Sequence, residues 1–156
     1  GSKATRRAVV RERVLAMQEL WGEEEAAFDG EHVHLAPAWA WPKPVQQVRG
    51  RSGVPVLVGG APGPILFRHI AEFADGWIPI GGAGVAAAMA DLHRAAEEFG
   101  RPPSDFTVVP FGTLPDAGKL EYYESLGIPE TILRLPSAGR DEVLAVLDSF
   151  VPFLDR

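Results

Sequence analysis

"PVLVGGAPGP", residues 55–64, runs Val56-Leu57-Val58 straight into Gly59-Gly60 and follows with Ala61-Pro62-Gly63-Pro64. A short apolar run closed by glycine and proline reads as a buried strand leaving the sheet. The paired glycines have two readings. They make a plain strand-to-helix turn, or they keep a strand end bare so that backbone can approach a ligand.

The same unit recurs downstream. "DGWIPI" (75–80) reads as a second strand ending in Gly81-Gly82, "FTVVPFG" (106–112) as a third, and "ETILRLP" (130–136) as a fourth ending at Pro136. Helices are expected between and after them: 63–73 with Ile65, Leu66, Ile70 and Phe73 inward; 85–99 with Val85, Met89, Leu92, Ala96 and Phe99; about 115–126; and 139–154 with Val143, Leu147, Phe150 and Val151 on one side. Strands alternating with helices imply parallel pairing through crossovers, hence an α/β fold of four βα units. In such folds ligands lie at the carboxyl ends of the strands, which is where the glycine pairs fall. The inner face of this sheet is expected to carry Val56, Val58, Ile78, Val108, Val109 and Ile132.

Upstream, Val10, Val14, Met17 and Trp21 recur at helical spacing over residues 5–21, and Gly22 is a natural stop. "FDGEHVHL" (28–35) reads as a β-arm with His32 and His34 on one face and Val33 and Leu35 on the other. Residues 36–53, with Pro37, Pro42 and Pro44, read as a long loop. Gly1-Ser2 resembles a cleaved-tag scar. The expected organisation is therefore a remnant at 1–3 and one domain at 4–156, its 4–54 part preceding the four βα units of 55–156.

Composition bounds the function. A formal net charge of −6 with no basic stripe argues against nucleic-acid binding. The absence of cysteine excludes disulfides, thiolate metal sites and a cysteine nucleophile. No apolar run reaches bilayer length and no signal-peptide layout opens the chain, so a cytoplasmic protein without membrane partners is expected.

The order of "ELWGEEEAAFDGEHVHL", "WPKPVQ", "PVLVGG", "ADGWIPI", "GRPPSDFTV" and "ILRLPSAGRDEVLAVLD" resembles the carboxyl-terminal half of the luciferase-like monooxygenase family. It is most similar to the branch using the deazaflavin coenzyme F-420. The resemblance implies a TIM (β/α)8 barrel of which this chain holds the last four units, since a whole barrel needs about 250 residues. It also implies a coenzyme F-420 cofactor, with FMN as the alternative, and a small organic substrate for hydride transfer or monooxygenation. The family's amino-terminal half supplies groups that contact the ring, so the isolated chain is expected to show no turnover. The resemblance assigns the loop at Gly59, Gly60 and Ala61 to the coenzyme's phosphate or linker; the adjacent glycine-rich strand end at Gly81 and Gly82 is expected, from its backbone N–H groups ahead of a helix, to face the same phosphate.

Other candidates read more plainly. Arg140 reads as a solvated residue at a helix start. Arg134, inside a strand, needs a partner if buried. His32 and His34 have no third ligand nearby, so no metal site is expected. His69 and His93 read as helix-surface residues, Trp39 and Trp41 as packing residues, and Asp75-Gly76-Trp77 as structural. No catalytic side chain is identifiable. A half-barrel leaves open edges and an apolar face, so pairing with a second copy or with the missing half is expected. The rival reading is a non-catalytic half-barrel module that self-associates or pairs with another chain.

Overall fold

The computed structural model describes residues 2–154. Helix α1 spans Lys3–Gly22, and Ser2 caps it by accepting the N–H of Thr5 at 3.1 Å on its hydroxyl. Its inward face differs from the stripe expected from spacing. Val10 is 50% and Met17 38% exposed, whereas Glu12 is buried beside Val14 and Ala16. The reason lies in the arm that follows. Strands β1 (Ala26–Asp29) and β2 (His34–Ala38) form an antiparallel hairpin. Glu12 accepts the N–H groups of Glu31, His32 and Val33 in its turn, at 3.1, 2.7 and 2.9 Å. A carboxylate that takes three backbone donors has a reason to be inside.

Residues expected to form one long loop contain a second hairpin, β3 (Gln47–Val48) with β4 (Arg51–Ser52). Arg49 and Gly50, at φ 50° and 76°, supply the two left-handed central residues that a tight hairpin turn requires. Trp39 and Trp41, expected to pack, are 75% and 67% exposed.

Strands β5 (Leu57–Gly59), β6 (Gly76–Ile78) and β7 (Thr107–Val108) lie side by side in parallel, in chain order. Strand β8 (Phe111–Thr113) pairs in parallel with β9 (Ile132–Leu133). The expected third strand thus divides at Val109-Pro110, because proline has no N–H for the ladder. The N–H of Val109 still reaches Trp77 O and that of Phe111 reaches Pro79 O, while Pro110 O accepts from Ile132, so pairing passes from β6 on one side to β9 on the other. The described residues close no barrel. Helices α2 (Pro64–Phe73), α3 (Val85–Glu97), α4 (Ala117–Ser125) and α5 (Arg140–Phe150) alternate with the strands. No helix among the described residues is long and apolar enough to cross a membrane.

The core lies between the sheet and α1–α3. Phe67, Ile70 and Phe73 of α2 meet Trp77 of β6, Val85 and Leu92 of α3, and Val108 of β7. Phe67 and Trp77 meet edge to face with centroids 5.1 Å apart. Val56, Val58 and Val108, expected on the opposite face of the sheet, pack with this helix-side cluster instead. Ile65, expected inward, is 54% exposed; Phe67 takes its place.

Candidate functional site

The amino end of the sheet is tied down by ions. Asp75 accepts the N–H of Val56 at 2.8 Å and lies 3.3 Å from Arg49. Arg101 donates to the carbonyls of Ile70, Ala71 and Ala74, where α2 ends, and stacks 4.2 Å from the ring centroid of Phe106. Burial, and then the nearby Arg49, push the Arg101 guanidinium below its ordinary value, against the pull of Asp105 and Asp75. This is scaffold, as expected for Asp75 and Trp77.

The carboxyl end is built differently. Strand β5 ends at Gly59 and β6 runs past Ile78 to Gly81-Gly82, so both glycine pairs stand on neighbouring strands. Their backbone is partly spent. Gly60 donates its N–H to Ile78 O at 3.3 Å, and its carbonyl accepts the indole N–H of Trp77 at 2.9 Å. Gly81 donates to Phe111 O at 2.8 Å. What Gly81 offers a ligand is therefore room rather than a donor, and Gly60, where a Cβ would lie 3.3 Å from Leu66, offers neither. A Cβ on Gly81 or Gly84 would meet nothing within 4 Å, and on Gly59 only Ile78 O at 3.8 Å. Donors come from the helix starts that follow, since the first-turn N–H groups of α2 and α3 lack intrahelical partners. Pro64 opens α2 and contributes none. Gly84 caps α3 in the left-handed region at φ 68°.

Sequence reasoning missed Tyr123 at this end. It is 3% exposed on α4, its hydroxyl donates to Gly81 O at 3.4 Å, and a Cβ on Gly82 would lie 1.9 Å from that hydroxyl. Gly82 is thus glycine both for its φ of 72° and for the tyrosine above it. Nothing in the sequence before α4 signals that contact. Gly59 and Ala61 are exposed and Gly60 half-buried, lining a pocket of about 550 Å³ with Lys3, Arg6 and Arg7 of α1.

The remaining candidates do not converge here. Arg134 follows β9 and is exposed, so it needs no buried partner, and Arg140 lies exposed 3.6 Å from Asp141. His34 contacts Asp29 at 2.7 Å on the outer hairpin. No three of His, Cys, Asp or Glu come together as a metal set among the described residues.

The family model for luciferase-like monooxygenases matches residues 1–115. An uncharacterised protein of Mycobacterium tuberculosis (strain ATCC 25618 / H37Rv) is 36% identical over 147 residues, covering 92% of this chain and 49% of the relative. An F420-dependent glucose-6-phosphate dehydrogenase of Gordonia bronchialis is 34% identical over 91 residues, covering 58% of this chain and 25% of that protein. The solved coenzyme F420-dependent tetrahydromethanopterin reductase from Methanopyrus kandleri superposes with a TM-score of 0.52 at 23% identity, covering 72% of this chain and 33% of that one. The chain spans about half the length, or less, of the curated relatives it matches.

Proposed function

The chain belongs to the luciferase-like monooxygenase family, and from that premise we propose that it is the carboxyl-terminal half of a (β/α)8-barrel oxidoreductase using coenzyme F420. The observation that carries the reading is the pair of neighbouring strand ends, Gly59-Gly60 and Gly81-Gly82, ahead of α2 and α3, with open space over Gly59 and Gly81. The F420-dependent relative adds the choice of coenzyme over FMN. The space at Gly59, Gly81 and Gly84 suits a phosphate or its linker, with donors from the first turn of α3 beyond Val85, whose own N–H is spent on Gly82 O at 3.3 Å. When bound, the coenzyme supplies the hydride chemistry; Gly59, Gly60, Ala61, Gly81 and Gly82 hold and orient it. Tyr123 keeps the Gly81-Gly82 backbone in place. The substrate is a small organic molecule, and the setting is the cytoplasm.

Titration of the protein with oxidised F420 and, in parallel, with FMN tests this by absorbance and fluorescence. Saturable binding of F420, weakened by Gly81→Val, is expected; no binding of either coenzyme to protein that includes the preceding half of the barrel would overturn it. The chain by itself is expected to give no turnover with either reduced coenzyme.

A second reading concerns assembly, because apolar groups on and beside the strands are exposed. Ile80 is 79%, Phe111 49% and Ile132 42% exposed. Burying such surface is worth roughly 25 cal/mol per Å². A second copy, or another chain, would cover it, and the module would then be an assembly unit without chemistry of its own. Light scattering on a sizing column separates these: a cooperative monomer that binds no hydrophobic dye removes the half-barrel reading.

A further inference from the structure

Beside Gly81-Gly82, three neighbouring strand ends carry a row of apolar side chains that the fold leaves uncovered. Ile80 pairs with Phe111 through a parallel bridge, and Phe111 is the register partner of Ile132. Cross-strand partners stand side by side on one face of a sheet, so the three side chains form a continuous strip. Ile80 is 79%, Phe111 49% and Ile132 42% exposed. Just past β8, Leu114 is 65% exposed as well. The backbone under the strip is fixed. Phe111 donates its N–H to Pro79 O and accepts that of Gly81, both at 2.8 Å, while Ile132 donates to Pro110 O at 2.9 Å. Around it the packing is closed, with Thr113 completely buried and Tyr123 seated on Gly82.

Charge is missing from the same place. The stretches that carry the parallel strand ends, residues 57–64, 78–84, 109–115 and 132–136, contain a single charged side chain, Arg134, although 23% of the whole chain is charged. An ionic group taken out of water needs an opposite charge or several donors. The first-turn N–H groups of α3 are already given to the coenzyme, which leaves Arg134 alone to meet a second anion. Exposed apolar surface of this kind, continuous and rigid, marks a place where something apolar lies.

We propose that Ile80, Phe111 and Ile132 form the wall against which the substrate lies, and that the substrate is an uncharged molecule with an apolar body. The inference rests on the coenzyme reading, because Ile80 adjoins the Gly81-Gly82 loop given there to the coenzyme. Glucose 6-phosphate, for which the Gordonia bronchialis relative is named, does not suit this wall. Its phosphate would find one cation, and its hydroxyl groups would be set against hydrocarbon with nothing to bond.

The test is an NMR titration of the chain with its isoleucine methyl groups labelled, using cyclohexanol, glucose and glucose 6-phosphate as probes. Cyclohexanol is expected to move the Ile80 and Ile132 methyls saturably and to bind at least about fivefold more tightly than either sugar, the scale of a small difference in apolar burial. Ile65, exposed on α2, and the buried Ile70 should stay still. Ile80→Ser, at a position exposed enough to spare the fold, should weaken cyclohexanol by a similar factor, whereas Ile65→Ser should change nothing. The inference is overturned if either sugar binds as well as cyclohexanol, if Ile65 moves as much as Ile80, or if Ile80→Ser binds cyclohexanol as before. It is also overturned if the Ile80 and Ile132 methyls shift on dilution of the free protein, which would mean that a second copy covers the strip. The coenzyme titration described above reads the other claim separately. Coenzyme binding without the methyl response removes the wall and keeps the coenzyme; the methyl response without coenzyme binding keeps the apolar site and removes the coenzyme.

Discussion

Residues 56–108 and residues 111–154 follow the same strand–helix pattern and end up packed very differently. In the first region Ile70 and Leu92 are completely buried, and Trp77 is 1% exposed between α2 and α3. In the second, α5 and the turn after it leave Leu144 40%, Leu147 41% and Val151 52% exposed, with Phe150 alone buried on that helix. The strands there also show apolar side chains, Phe111 at 49% and Ile132 at 42%. The family match stops at residue 115, just short of α4. An amphipathic pattern brings an element into being, and the partner it was patterned for decides how much of it is buried. The first region has its partners in α1, which precedes it, and in its own α2 and α3. The second presents apolar faces that nothing among the described residues covers.

The strongest way to break that contrast is to cut equally into both regions. Trp77→Ala removes a ring that touches Phe67 and donates to Gly60 O, and should cost about 3–5 kcal/mol, the usual range for a buried large aromatic. Leu147→Ala, starting from a side chain 41% exposed, should cost under about 1 kcal/mol in a monomeric sample. Urea denaturation followed by tryptophan fluorescence for the second variant and circular dichroism for both gives the two values. Comparable losses would mean that α5 is buried after all, by self-association that the same sample would show in light scattering.

A smaller effect sharpens the contrast at the seam where the two regions touch. Tyr123 belongs to the second region and seats on Gly81 and Gly82 of the first. Gly82→Ala should cost about 1–3 kcal/mol, from the left-handed φ of 72° and from the displaced tyrosine. Tyr123→Phe, giving up one long hydrogen bond of 3.4 Å, should cost about 1 kcal/mol or less. Combined with Gly82→Ala it should recover part of the loss, because the new Cβ no longer meets a hydroxyl. Thermal melts of the three variants suffice. Strict additivity would show that backbone strain alone requires the glycine.

How much could be read from sequence follows the same division. The four βα units, the parallel pairing and the buried role of Trp77 were legible, because apolar runs bounded by glycine and proline, and helices of regular stripe, are local signals. Which face of a strand looks at the helices was not. Val56, Val58 and Val108 sit in nearly continuous apolar runs, where alternation carries no information about the two faces. The glycine pairs were legible as bare strand ends, yet not the expenditure of the Gly60 and Gly81 N–H groups within the sheet, which depends on strand neighbours. Glu12 escaped for a related reason. A glutamate between Arg11 and Arg13 reads as solvated until the hairpin turn nineteen or more residues away presents its N–H groups.

That carboxylate provides the smallest effect, and one whose sign is fixed. The N–H of His32 most of all, then those of Val33 and Glu31, hold Glu12 below the ordinary glutamate pKa against the cost of burial. Arg11 does the same for Glu72. A carboxyl depressed in the folded state contributes stability above its unfolded value, about 4.3, and loses it as pH falls through the folded value. His69, lowered by burial, acts in the same direction, because the unfolded chain takes up its proton first as pH falls below about 6.5. Stability should therefore decline on acidification from neutral pH, first through His69 and then through the two glutamates. The local readout is an NMR pH titration. The amides of Glu31, His32 and Val33 should shift together with an inflection below the ordinary glutamate value, while the Trp77 amide in the first region's core stays flat. Glu12→Gln should abolish the shared inflection and leave the hairpin's response to acid nearly level. An inflection at or above the ordinary value would mean that the hairpin turn does not depend on the ionised carboxylate, and that burial rather than hydrogen bonding sets the charge of Glu12.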